Sequence, residues 1–212
     1  MQLDDFLIAA DNIMTLTERD RYRHLQQVII YRGYAGATAR QGVLYDDDIA
    51  LIQLSNAYPA ETIEPARLAQ AQDVQVKATL AGYGFSNANG GTLGQFNLTW
   101  PPSLERRTDQ FFFVPGQEGQ HRSAFCQGDS GGPVLAGRNR GCRRADGAPE
   151  YRPRYIQGIV SYNVIRQPGI GSSEAAWASA CMSAEKMAMQ DITKKARRDW
   201  ICQATLREAG GC

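Results

Sequence analysis

Residues 126–135 read CQGDSGGPVL, and every functional reading of the chain starts from this stretch. Ser130 stands between an aspartate and a pair of glycines, the setting of a nucleophile whose backbone must turn sharply. A serine hydroxyl attacks a carbonyl carbon only when a base takes its proton, and the usual base is histidine. The 212 residues contain two histidines, His24 and His121. The spacing satisfies G-x-S-x-G, the pattern of a strand-to-helix elbow. However, Pro133 and an apolar strand follow the serine, and no histidine occurs after position 121, so the elbow is excluded. A phosphate-cradling loop is excluded as well, because neither a lysine nor a helix start follows the glycines. What remains is a tight turn that aims the N–H groups of Gly128 and Ser130 at one point, where they would stabilise the oxyanion formed when Ser130 attacks a carbonyl.

Outward from this motif, 21 glycines, 9 prolines and short apolar runs between turn clusters point to an all-β chain. A net charge of +1 gives no overall field toward nucleic acid or a membrane surface, and neither is expected as a partner. The arginine-rich stretch at 138–154 reads as a solvated loop. No run is long enough to cross a membrane, and residues 1–30 lack the pattern of an export signal. Cys126, Cys142, Cys181, Cys202 and Cys212 form no CxxC pair and have no neighbouring histidine, so disulfides are expected rather than a metal site. Five is an odd number, which leaves one thiol free or paired elsewhere.

QQVIIYRGY (26–34) and DIALIQL (48–54) read as buried strands, and the polar segment 55–73, with two prolines, as a connector. VQVKATLAGYGF (74–85) opens a second sheet, to which PVLAG (133–137) and YIQGIVSYN (155–163) add strands. From Asp191 the spacing of Ile192, Ala196, Trp200 or Ile201, and Thr205 predicts a closing helix.

CQGDSGGPVL resembles the nucleophile motif of the trypsin-like (chymotrypsin-family) serine proteases, whose triad is the standard template for serine catalysis. DDIALIQL (47–54), LAGYGF (80–85), GIVSYN (158–163) and RDWI (198–201) resemble further segments of that family in the same order. The resemblance implies a double antiparallel β-barrel with its first barrel incomplete, plus a C-terminal α-helix. Residues 1–70 would hold the partial first barrel and the connector, and 71–212 the second barrel with the nucleophile. It implies Asp48 and Ser130 as catalytic residues and Gly128 with Ser130 as the oxyanion hole. Ala124 would be the pocket floor, with Ser161, Tyr162 and Asn163 as the pocket wall. Asp129 would be the partner of an amine created by activation, and Cys126 would be bridged to Cys181. Connectivity among Cys142, Cys202 and Cys212 stays open. With alanine where trypsin has an acid, an apolar substrate side chain is expected over a basic one, and Asn163 adds bulk at the entrance. If a eukaryotic secretory pathway made the protein, Asn97-Leu98-Thr99 would be a glycosylation acceptor.

The chain departs from the family at the base. No AAHC-like motif precedes Asp48; LIAADNI (7–13) is either a degenerate copy or a later strand, and the second reading needs no gap up to Tyr34. His24 and His121 read as surface residues. The expectation is therefore the downstream part of a longer, secreted serine endopeptidase. It would need no cofactor, have peptide or protein substrates and protein inhibitors as partners, and be inactive as written. The alternative is a non-catalytic homologue that binds proteins through the old substrate cleft.

Overall fold

Alternating apolar and polar runs broken by glycine-rich turns build two mainly antiparallel sheets, and an amphipathic stretch near the C-terminus builds a helix against them. The computed structural model describes residues 7–9, 22–34, 47–58, 66–85, 94, 96–100, 103–115, 124–137, 155–165, 176 and 180–205. The first sheet orders β1 (Leu7–Ala9), β2 (Tyr22–Ile30) and β3 (Ala50–Leu54) in sequence. The second is made of β4 (Arg67–Leu68), β5 (Ala78–Gly82), β6 (Asn97–Thr99), β7 (Glu105–Arg107), β8 (Gln110–Phe113), β9 (Pro133–Ala136), β10 (Tyr155–Val164) and β11 (Lys186–Asp191). Its order is β6-β5-β9-β10-β11-β8-β7, with β4 added parallel to β10. Helix α1 spans Lys195–Ala204. The chain is thus mostly antiparallel β-sheet closed by a short helix, as expected.

β11 is paired on both edges, by β10 and β8, and its consecutive residues Met187, Ala188 and Met189, which point to alternate faces, are all fully buried, so both of its faces are covered as well. Met187 and Met189 join Leu80, Phe111, Phe113, Phe125, Val134 and Val160 in the main core. A smaller cluster of Tyr31, Ile49, Ile192 and Ile201, with Leu51 and Trp200 against it, joins the first sheet to the helix. In it the Tyr31 and Trp200 rings meet edge to face, 4.9 Å between centroids.

Two expectations are corrected here. β2 and β3 are buried on one face only: Leu25 is buried, while Val28, Ile30 and Ile52 are 38%, 59% and 52% exposed. Successive side chains of a strand point to opposite faces, and only one face of this sheet meets the helix cluster, so a continuous apolar run leaves half its members outside. The helix starts at Lys195 rather than Asp191. Asp191 ends β11, and its Oδ1 accepts from both the N–H (2.9 Å) and the hydroxyl (2.6 Å) of Thr193. Its Oδ2 accepts from Nε of Arg106 at 2.8 Å. These bonds hold 191–193 as a turn, and the helix then buries Arg197 and Ile201 in place of Ala196.

Candidate active site

The turn from Cys126 to Gly132 is held by its own backbone. Asp129 N–H donates to Cys126 C=O (3.0 Å), Gly132 N–H to Asp129 C=O (2.9 Å) and Gly131 N–H to Val160 C=O (2.9 Å). Val160 N–H returns a bond to Gly132 C=O (2.9 Å), so the turn is clamped onto β10. Gly128 sits at φ +94°, a conformation that side chains resist. The N–H groups on either side of Asp129, those of Gly128 and Ser130, have no acceptor among the described residues. Both residues are exposed. Two free donors beside an exposed hydroxyl are what a developing negative charge needs.

Asp129 turns the other way, into the protein. Its Oδ1 accepts from Gly84 N–H (2.8 Å) and its Oδ2 from Cys126 N–H (2.9 Å). A Cβ on Gly82 would lie 2.0 Å from Oδ1, and one on Gly84 would lie 2.5 Å from Cγ, so both positions of the GYG stretch need glycine for the carboxyl to fit. Burial pushes the Asp129 pKa up, opposed by the hydrogen bonds from Cys126 and Gly84. No cationic side chain among the described residues pairs with it. The carboxyl lines a cavity of about 180 Å³ shared with residues of β5 and β6 and with Ala124.

Asp48 lies just before β3 and meets β10. Ser161 Oγ donates to Asp48 Oδ2 at 2.7 Å, and Nε2 of the fully buried Gln190 donates to Ser161 Oγ at 3.3 Å. The preceding residue, Asp47, is at φ +57° and is held by Arg197 of α1 through Nε (2.8 Å) and Nη2 (2.7 Å). Arg197 is itself 3% exposed, and its Nη1 donates to the carbonyls of Asp109 and Asp191. His24 is exposed on β2, where its carbonyl accepts from Ser55 N–H at the opposite end of β3. At about 3.3 Å per strand residue, that places it roughly 20 Å from Asp48. His121 lies outside the described residues, as do Cys142, Cys212, the 138–154 loop and most of LIAADNI. No hydrogen bond joins Asp48 to Ser130 among the described residues.

Cys126 and Cys181 form a disulfide with Cα atoms 5.5 Å apart. Cys202 is also disulfide-bonded, to a partner outside the described residues. Half-buried Ala124 packs against the main core beside Phe125. Across from them, Tyr162 Oη donates to Gln110 Oε1 (3.1 Å), and Asn163 Nδ2 donates to Phe125 C=O (3.1 Å).

A protein-family model described as Trypsin matches residues 3–175. The chain belongs to the trypsin family. Among curated proteins it is similar to Trypsin eta of Drosophila melanogaster, 31% identical over 103 residues. That match covers 42% of this chain and 39% of the fly protein. It is also similar to Trypsin eta of Drosophila erecta, 30% identical over 105 residues, covering 43% of this chain and 41% of the relative. The matched stretch thus spans about two fifths of the length of either relative.

Several residues around this trypsin-family site carry no signal in the motifs: Gln190, Arg197 and Met187. The available signal for Gln190 was weak, a lone amide at the end of the apolar run KMAMQ. Arg197 looks like one of four basic residues in KKARR, and only the packing separates it from the exposed Lys195.

Proposed function

We propose that this chain carries the nucleophile half of a serine endopeptidase. Ser130 attacks the peptide carbonyl as its proton passes to a histidine, and the N–H groups of Gly128 and Ser130 receive the charge that develops on the carbonyl oxygen. Collapse of the intermediate breaks the C–N bond, the amine leaves with that proton, and water then hydrolyses the acyl-enzyme ester to free Ser130 and the acid. Asp48, held by Ser161, orients the histidine that accepts the Ser130 proton. The observation that carries the reading is the alternation in the turn: the N–H groups of Gly128 and Ser130 lack acceptors among the described residues, while those of Asp129, Gly131 and Gly132 are all bonded. In this reading Asp129 anchors the turn, Ala124, Ser161, Tyr162 and Asn163 form the substrate pocket, and the partners are peptides, proteins and protein inhibitors. The two disulfide-bonded sites suit a secreted protein.

His24, at the far end of β3 from Asp48, favours a second reading. Without a base beside Asp48 the cleft binds a protein and cleaves nothing. A serine-directed phosphonate separates the two. The chain alone is expected to label far below stoichiometry, whereas a fusion placing an AAHC-bearing family segment ahead of residue 1 labels at Ser130 and loses labelling in Ser130→Ala. A fusion that folds and stays unlabelled supports the binding module; stoichiometric labelling of the chain alone shows that it already holds its base.

A further inference from the structure

Gln110 and Gln190 are directly opposite in the β8–β11 register, so their side chains stand on one face of the sheet. Gln190 is fully buried and Gln110 is 7% exposed. The Gln110 amide is only half used. Its Oε1 accepts from Tyr162 Oη at 3.1 Å, while its Nε2 is buried with no hydrogen-bond partner among the described residues. On the far side of the pair, Gln190 Nε2 donates to Ser161 Oγ (3.3 Å), and Ser161 Oγ donates to Asp48 Oδ2 (2.7 Å). From the Tyr162 hydroxyl to the Asp48 carboxylate, each group between accepts on one side and can donate on the other. The row is interrupted at a single step, between the two amides, where a buried donor faces the residue whose Oε1 can accept. A buried donor left unbonded is costly, and one water held between two polar side chains removes the cost.

We infer that a buried water joins Gln110 Nε2 to Gln190 Oε1 and completes a polar relay from Tyr162 to Asp48, in which Gln190 is a positioning residue for the Asp48 carboxylate. The bonds fix the sense of the relay. With a Gln190 N–H on the Ser161 oxygen, the Ser161 proton is directed to Asp48. Turning the Gln190 amide over would aim an oxygen at Ser161 and draw that proton away from the carboxylate. The water prevents this by holding Oε1, and Gln110 holds the water because the phenolic proton of Tyr162 keeps its own Oε1 on the other side. The inference rests on the proposed reading only in making Tyr162 a pocket wall and Asp48 the partner of the histidine. Under that reading a hydroxyl on the wall helps to set the carboxylate that orients the base.

The test is NMR of the whole chain, reading the Asp48 carboxyl carbon, assigned with Asp48→Asn, and the side-chain amides of Gln110 and Gln190. The Gln110 amide protons are expected to show a cross-peak to a slowly exchanging water. Tyr162→Phe, which removes one oxygen, is expected to shift the Asp48 carboxyl signal. In a Gln190→Met background, similar in shape but without the amide, Tyr162→Phe leaves that signal in place. A missing water cross-peak overturns the inference, and so does an Asp48 signal indifferent to Tyr162→Phe. A shift of equal size in the Gln190→Met background overturns it too, because a ring or backbone effect needs no amide between. Should Gln190→Met fail to fold, Gln110→Met breaks the relay one step earlier and makes the same comparison. A second arm measures phosphonate labelling of Ser130 in the histidine-completed fusion. Gln190→Met lowers the maximal rate roughly tenfold with the half-saturating concentration unchanged, and an unchanged maximal rate overturns the positioning role. If the fusion does not label, the catalytic reading fails while the NMR arm still decides the relay.

Discussion

Ser161 and Asp48, separated by 113 residues in sequence, are joined by a 2.7 Å hydrogen bond that links the start of β3 to β10. Behind it Gln190 donates to Ser161, so two donors in series end on one carboxylate. The pair crosses from the first sheet to the second.

Ser161→Ala removes the middle of this series and leaves partly buried polar groups without it. The expected loss is about 1–3 kcal/mol of unfolding free energy. A double-mutant cycle with Asp48→Asn in urea should give a coupling of about 1 kcal/mol or more; purely additive losses would show that the bond contributes nothing to the sheet junction.

Arg197→Met strands Asp47 and two carbonyls around a buried site. A loss of roughly 3–5 kcal/mol is expected, measured as a lower urea midpoint at unchanged slope. Arg197→Lys should recover little, because an ammonium cannot serve Asp47 and two carbonyls with one planar fork.

Gly84→Ala puts a methyl 2.5 Å from Asp129 Cγ and should cost roughly 1–3 kcal/mol through overpacking. The cost should shrink once Asp129→Ala clears the space. An equal cost in both backgrounds would show that the carboxyl is not what demands glycine here.

Burial raises the Asp129 pKa, so the folded protein keeps that proton at pH values where the unfolded chain, near 3.9, has lost it. The folded state then binds more protons than the unfolded one, and stability falls as pH rises from the unfolded value through the raised one. Relative to Asp129→Asn, the unmutated protein should therefore lose unfolding free energy with rising pH across that window. A difference that is flat or increases with pH would contradict the assignment.

What was legible in the sequence was local. Gly-Asp-Ser-Gly-Gly announced a tight turn because glycine spacing acts within a few residues, and the order of short motifs gave an antiparallel fold with a closing helix. The Cys126–Cys181 bridge followed from the family resemblance. The one-sided burial of β2 and β3 was not legible, since Val28 and Ile52 look like core residues until their covering neighbours are counted. Nor was the start of α1, where the Asp191 carboxylate outcompetes helical spacing by bonding Thr193. Asn163 read as added bulk; its bond to Phe125 and the opposed Met187 depend on strand register, which motif matching does not supply.

Arg197 also sets an order of events during synthesis. It lies 150 residues after Asp47, so at about 5–20 residues per second the segment before β3 waits roughly 8–30 s for the guanidinium that fixes it. Both sheets can have formed by then. The Asp47 carboxylate gains its guanidinium partner only as the last helix docks, and a chain stalled or clipped before α1 would carry its serine turn with that ion pair missing.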